Sequence, residues 1–252
     1  MYTQHSIDNT TERQALPDGP STIERTNAMG NPRHLFLSLV LSCVSMAPVP
    51  ALASEGETPR PDADGWYRLF NGKDLSGWKK SQENEDTFQV IDGEIVAKGP
   101  RCHLYYAGPV ADANFKNFEW KCEILTKPQA NSGMYFHTKY QSTGWPAKGL
   151  EVQINNTHPD SRKTGSLYRA KDIMHDSPAE DNQWFTQHVI VDGHKVTVKI
   201  NDKIVNEFVE KDPPERERGW EGNVLSSGTF ALQGHDPGSE VHFRKVLVKP
   251  LP

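Results

Sequence analysis

Between Phe118 and Ile124 the chain alternates without a break: Phe118, Trp120, Cys122 and Ile124 are apolar, while Glu119, Lys121 and Glu123 are charged. A period of two sends successive side chains to opposite faces of a strand, whereas a helix would spread these charges around its circumference. The same period returns where Val196, Val198 and Ile200 alternate with Lys195, Thr197 and Lys199. Asp192-Gly193 joins that segment to Gln187–Val191, and Asp92-Gly93 joins Phe88–Ile91 to Ile95–Ala97. Asp-Gly between apolar alternations marks a two-residue hairpin whose turn residues both take positive φ. Further strands are expected at Trp66–Phe70, His103–Ala107, Phe115–Leu125, Met134–Thr138, Leu150–Asn155, Ser166–Arg169, Ile204–Val209, Thr229–Gln233 and Val241–Val248. In the last of these the apolar parity shifts between Phe243 and Val246, the mark of a bulge. About twelve short strands and no helical period point to an all-β chain. Its two antiparallel sheets are expected to pack as a sandwich rather than close into a barrel.

The N-terminal region reads differently. Residues 1–30 are polar and without period. Arg33-His34, the apolar stretch Leu35–Val44 and Ala51-Leu52-Ala53 then follow the basic, apolar and small-residue order of a secretory signal. Pro48 and Pro50 would break a core helix there. The expectation is therefore an N-terminal extension plus signal over 1–53, with Met29 as an alternative true start and cleavage after Ala53. A polar linker over 54–64 and a single sandwich domain over 65–252 complete the organisation. Such a chain is periplasmic or secreted. Val40-Leu41-Ser42-Cys43 loosely resembles a lipobox, so anchoring at Cys43 is the second reading, although Leu41 is a poor residue for it. Export would carry Cys102 and Cys122 into an oxidising compartment. They lie in strands expected to be adjacent, so a bridge and two buried thiols both remain open.

With 28 basic and 33 acidic residues the formal charge is -5, which supplies no basic field for nucleic acid. No apolar run reaches the roughly 18 residues of a membrane span.

Alternation also sorts candidate ligand residues. It places Glu119 and Lys121, Tyr135 and His137, and Glu151 and Gln153 on outward faces, opposite Phe118, Trp120, Met134, Phe136, Val152 and Ile154. A face mixing carboxylate, amine, imidazole and amide suits a polar ligand such as a sugar.

Leu69-Phe70-Asn71-Gly72-Lys73-Asp74-Leu75-Ser76-Gly77-Trp78 resembles the opening signature of the 3-keto-disaccharide hydrolase domain family, a former domain of unknown function. Asn131-Ser132-Gly133, Gly149-Leu150-Glu151-Val152-Gln153-Ile154, Gly165-Ser166-Leu167-Tyr168, Leu232-Gln233-Gly234-His235 and the segment Val241–Pro250 match its later blocks in order. The chain departs from that pattern at His137, where Arg is frequent, at Asn155, where Asp is common, and at Lys245, where Asn is usual. The resemblance implies a concanavalin A-like jelly roll that acts on 3-keto-glycosides, sugars oxidised at C3 by a separate upstream sugar 3-dehydrogenase.

A ketone at C3 acidifies the C2 proton, so a base can form an enolate, the C1 aglycone can leave, and water can add to the enone. This needs a base near C2, a positive group or metal at the C3 oxygen and an acid for the leaving oxygen. His137 and Glu151 are the candidates for base or acid, Lys121 for enolate stabilisation, and His235 for a second acid or base. Glu119, Tyr135, Gln153, Tyr168 and Gln233 suit hydroxyl contacts, and Trp78 or Trp145 a stacked ring. Glu119, Glu151, His137 and His235 offer donors for a divalent ion, with no tight ligand spacing to specify one. His158-Pro159-Asp160 follows the Glu151 strand and is placed at the cleft rim; the other histidines are assigned no role. A non-catalytic carbohydrate-binding module on the same sandwich is the alternative. A conventional retaining glucanase lacks its Glu-x-Asp-x-x-Glu strand here, since Glu119-Trp120-Lys121-Cys122-Glu123 carries Lys where Asp is needed.

Overall fold

The computed structural model describes residues 59–252, so the expected signal, the alternative start and the Cys43 anchor lie outside the described residues. Within them the chain runs through β1 (Tyr67–Arg68), β2 (Trp78–Lys80), β3 (Phe88–Ile91), β4 (Glu94–Lys98), β5 (Cys102–Tyr106), β6 (Asn117–Thr126) and β7 (Ser132–Thr138). It continues through β8 (Leu150–Ile154), β9 (Phe185–Asp192), β10 (Lys195–Ile200), β11 (Lys203–Val209), β12 (Thr229–Gly234) and β13 (Glu240–Leu251). Short 3-10 turns at Glu85–Thr87 and around Val110–Ala113 are the helical content among the described residues. No helix among them is long and apolar enough to cross a membrane.

Two antiparallel sheets result. One has the order β11-β10-β9-β6-β13-β4-β3, with β1 also paired to β13, and the other the order β2-β5-β12-β7-β8. This is the concanavalin A-like sandwich expected from the period-two pattern. The hairpin at Asp92-Gly93 has φ of 50° and 80°, a turn that only residues tolerating positive φ can make. At Asp192-Gly193 only Gly193 takes positive φ, because Asp192 still pairs with Lys195 as the last residue of its strand. The parity shift in β13 is a register slip between Arg244 and Leu247, with Lys245 at φ 48°.

The core fills the space between the sheets. Phe118, Trp120, Cys122 and Ile124 of β6 are fully buried, as are Phe230 and Leu232 of β12 and Met134 and Phe136 of β7. Trp120 stacks on Phe230 across the gap with ring centroids 4.3 Å apart. Wide aromatic contacts of this kind add specific geometry to the burial term.

The two sheets differ on their outer faces. Glu119, Lys121 and Glu123 of β6 are half-exposed, as a solvated face requires, but β5, β7, β8 and β12 are buried on both faces. Loops after β7, β8 and β11 cover that second face, and the pocket lies beneath them.

Three expectations are corrected here, and one strand is added. The segment Ser166–Arg169 makes isolated bridges through Leu167 rather than a strand, because its backbone bonds close on Lys171 and Lys163. Trp66–Phe70 shrinks to the two residues of β1, and β2, which has too little alternation to be read from sequence, joins the second sheet. Cys102 and Cys122 lie in different sheets, on β5 and β6, and both are free and buried. Burial pushes both thiols up, away from the reactive thiolate.

Candidate active site

The floor of the pocket is a register consequence. On β7 and β8, Tyr135 lies opposite Glu151, and Gly133 opposite Gln153. Gly133 is the residue that makes room, because a Cβ there would run into the Glu151 carboxylate well inside van der Waals contact. Gly149, at φ 87°, immediately precedes β8 where a side chain would collide with the Phe136 carbonyl. Two of the glycines in the matched sequence blocks therefore serve the placement of one carboxylate.

Three residues from three strands form a closed network. The Tyr135 hydroxyl donates to Glu151 Oε2 at 2.6 Å. The Gln233 amide donates both to Glu151 Oε1 at 3.0 Å and to the Tyr135 oxygen at 2.9 Å. Glu151 is 8% exposed, enough to reach the cavity and too little to be hydrated as a surface carboxylate. Burial pushes its carboxyl up to about 7; the bonds from Tyr135 and Gln233 pull the other way, and the Asp160 charge adds to the rise. A carboxyl poised there exchanges a proton at neutral pH, the property a general base or acid requires. Tyr135 is held well above the ordinary phenol range, first by burial and then by the Glu151 charge, so it stays a hydrogen-bond donor.

Around this floor a cavity of about 290 Å³ is lined by polar and aromatic groups, with Gln153 and Gln233 beside Glu151 and Trp145 and Trp220 on its walls. Gln153 donates to Asn131 Oδ1 at 2.6 Å, which fixes the amide's direction. Trp145 is exposed and carries Arg101 against its ring, whereas Tyr168 and Trp220 face each other at 5.7 Å with Arg169 over Trp220. Aromatic faces with amides and carboxyls between them are the usual lining of a sugar site.

Of the residues singled out from sequence, Tyr135, Trp145, Glu151, Gln153, Tyr168, Gln233 and His235 line this one cavity. Four others do not. Glu119 and Lys121 belong to the outer face of the other sheet, where Glu119 pairs with His188 at 2.9 Å and Lys121 stacks on Trp66. Alternation gives the side of a strand but not the sheet it joins, and so merged two faces that point in opposite directions. Trp78 is buried in the core, its indole N–H donating to the Leu69 carbonyl at 2.7 Å.

His137, the penultimate residue of β7, has φ 56°, which turns its ring away from the pocket and against Phe118 and Phe136. Its Nδ1 accepts the Ser226 N–H at 3.0 Å and its Nε2 donates to the Lys116 carbonyl at 2.8 Å. Burial lowers it to about 4, and with both nitrogens spent on backbone it has no lone pair for a substrate. The donor set Glu119, His137, Glu151 and His235 is accordingly not assembled. Among the described residues His158, His235 and Asp236 instead bring donor atoms within 4.8 Å of one another.

Sequence reasoning missed Asn131, Pro146, Trp220 and Asn223 as pocket residues and placed Asp160 at the cleft rim without a role. Asn131 and Asp160 carried a signal, the first in a matched block and the second in His158-Pro159-Asp160. Trp220 and Asn223 lie in a loop with no periodicity to read.

Fold and site together define a concanavalin A-like sandwich with a polar, aromatic-walled pocket around a buried carboxyl on the outer face of its smaller sheet. The chain belongs to the 3-keto-alpha-glucoside-1,2-lyase-like domain family, whose model matches residues 65–249. A 3-keto-disaccharide hydrolase of Bacteroides thetaiotaomicron is 24% identical over 235 residues, covering 75% of this chain and 80% of that protein. A crystal structure from Parabacteroides distasonis, provisionally assigned as a glycosyl hydrolase, superposes with a TM-score of 0.62 at 25% identity, over 75% of this chain and 95% of that one. A second from the same organism, with the same provisional assignment, gives 0.59 at 21% identity, over 74% and 99%, and supports the fold.

Proposed function

We propose that this chain is an exported enzyme that cleaves 3-keto-glycosides by abstraction of the C2 proton, elimination of the C1 aglycone and hydration of the enone. The observation that carries this is Glu151: a buried carboxyl raised to about 7, aimed into a sugar-sized cavity and held by Tyr135 and Gln233. The name of the Bacteroides relative and the family model support the substrate class.

Glu151, as carboxylate, takes the C2 proton. The electron pair moves into the enolate, the C1–O bond breaks as an acid protonates the leaving oxygen, and a C1=C2 enone remains. Protonated Glu151 exchanges with the solvent that enters as the aglycone leaves; water then adds at C1 while Glu151 delivers its proton to C2, so the net change is hydrolysis. One carboxylate suffices because no oxocarbenium ion forms, which removes the need for the paired carboxylates of an ordinary glycosidase. With Lys121 on the far sheet, the C3 oxygen is met by neutral donors of the lining, the Tyr168 hydroxyl and the Gln153 and Asn223 amides among them. A reaction class that oxidises sugars at C3 must supply the substrate, and the Arg33–Ala53 pattern supports action outside the cytoplasm.

The test incubates the protein with 3-keto-trehalose and an aryl 3-keto-glucoside beside their unoxidised parents. Aglycone release from the keto sugars alone, reduced by about 10³-fold or more in Glu151→Gln, is expected. Saturable binding of all four without turnover would leave a carbohydrate-binding module and refute the reading.

A further inference from the structure

Beyond the Glu151 network, a second set of titratable groups meets at the pocket rim. His235 follows β12, lines the cavity and packs beside Trp145 with ring centroids 5.2 Å apart. Its Nδ1 lies 2.9 Å from Asp236 Oδ2. The same oxygen accepts the Ser239 hydroxyl at 2.6 Å, and Oδ1 accepts the Gly238 N–H at 2.9 Å. Burial alone would raise the Asp236 carboxyl, but the bonds from Ser239, His235 and Gly238 outweigh it and hold it below the usual aspartate range.

An ionised carboxylate only accepts hydrogen bonds, so the nitrogen facing it must be the protonated one. His235 is thereby fixed with its proton on Nδ1, which leaves the Nε2 position for exchange. His158 approaches Asp236 from the loop after β8, with Nε2 4.0 Å from Oδ2. Its Nδ1 accepts the Asp160 N–H at 3.1 Å, so its own proton sits on Nε2 and also points at Asp236.

We propose that Asp236 is a positioning residue that locks His235 in the Nδ1–H tautomer, making His235 the acid that protonates the leaving glycosidic oxygen through Nε2. The inference rests on the elimination reading and assigns its second acid-base group. The proton count closes. Protonated His235 gives its Nε2 proton to the C1 oxygen as that bond breaks. Neutral His235 then takes a proton from the water whose hydroxyl bonds to C1, and is restored. Glu151 handles the C2 proton in both directions, so the two groups divide the chemistry between C2 and C1.

The trio His158, His235 and Asp236 also has a spacing that suits a divalent ion. The backbone N–H on His158 Nδ1 argues against it, because the remaining nitrogen then carries a proton and offers no lone pair to a metal. The charged and titratable groups facing His235 are Asp236 on its own loop, His158 and Asp160 from the loop after β8, His103 on β5, and Arg101 across Trp145.

The experiment compares the full chain with Asp236→Asn and Ser239→Ala by long-range proton–nitrogen NMR of the histidine side chains and by steady-state kinetics. The wild type should show His235 with Nδ1 protonated. In Asp236→Asn the tautomer should shift toward Nε2–H, and kcat should drop by about 10²-fold with KM within threefold. Ser239→Ala, which removes one of the bonds on the Asp236 carboxylate and the acceptor of the Asn131 N–H but keeps the His235–Asp236 contact, should retain the Nδ1–H tautomer and lose less kcat than Asp236→Asn. Nε2–H in the wild type, or an unchanged tautomer in Asp236→Asn, would overturn the proposal. So would Co²⁺ that binds one-to-one and shifts the His158 and His235 resonances together. If the wild type turns over no keto sugar, the functional reading fails, and the NMR arm still decides the role of Asp236.

Discussion

Glu151 and His137 were equal candidates on one notional face, and the structure gives them opposite characters. Both are buried, and burial disfavours the charged form of each, raising the carboxyl and lowering the imidazole. The difference lies in what is left free. Glu151 keeps lone pairs toward a cavity, while both His137 nitrogens are tied to backbone groups on Lys116 and Ser226. His137→Asn, chosen because Asn tolerates positive φ, should cost about 1–3 kcal/mol of stability and leave kcat within about threefold. Thermal melts beside turnover of a keto substrate would check it. Glu151 also carries a pH signature. Its folded value, about 7, lies above the unfolded value, so the native state binds the extra proton between about 4.5 and 7, and stability falls as pH rises through that window. Glu151→Gln removes this cost. Its melting temperature relative to wild type should rise between pH 5 and pH 9 by roughly 5–10 °C, corresponding to about 3 kcal/mol. A parallel pair of melting curves would contradict the assigned burial.

At the scale of the element, the site depends on register. Tyr135 and Glu151 meet only because β7 and β8 pair as they do, and a slip of one residue in either strand would turn that strand's member of the pair into the core. Gly133 is the sensitive point. Its φ is not positive, so Ala fits the backbone, and the strain falls on the Glu151 side chain alone. Gly133→Ala should lower kcat by about 10–100-fold and cost roughly 1–3 kcal/mol while preserving the circular dichroism of the sheet. The strands were legible where alternation was strict, as in β6 and β10, and where Asp-Gly marked a turn. They failed at Ser166–Arg169, whose bonds divide between β8 and a local turn to Lys163 and Lys171, and at β2, which is too short to show a period. The outward side of each strand was readable as well. What could not be read was which strands share a sheet, since hydrogen bonding between β7 and β12, or β6 and β13, joins residues about a hundred positions apart.

At the scale of the molecule, the sandwich separates two outer surfaces with different roles. The larger sheet shows solvent the charged face that alternation implies, and Glu119 and Lys121 find partners there in His188 and Trp66. The smaller sheet buries both faces, and polar side chains under a loop cover are where a carboxyl can be raised and a sugar enclosed. Each of the seven sequence-derived pocket residues lies in or beside a strand or matched block of that smaller sheet, or in its covering loops. The loop residues Trp220 and Asn223 escaped notice because loop chemistry has no period. The central claim, that Glu151 moves the C2 proton, is tested most directly by isotope exchange. An aryl 3-keto-glucoside deuterated at C2 should release its aglycone with a primary isotope effect of about 3 or more and lose deuterium to water, with both effects absent from the residual activity of Glu151→Gln. Release that leaves the C2 deuterium in place, or exchange that persists undiminished in Glu151→Gln, would contradict it.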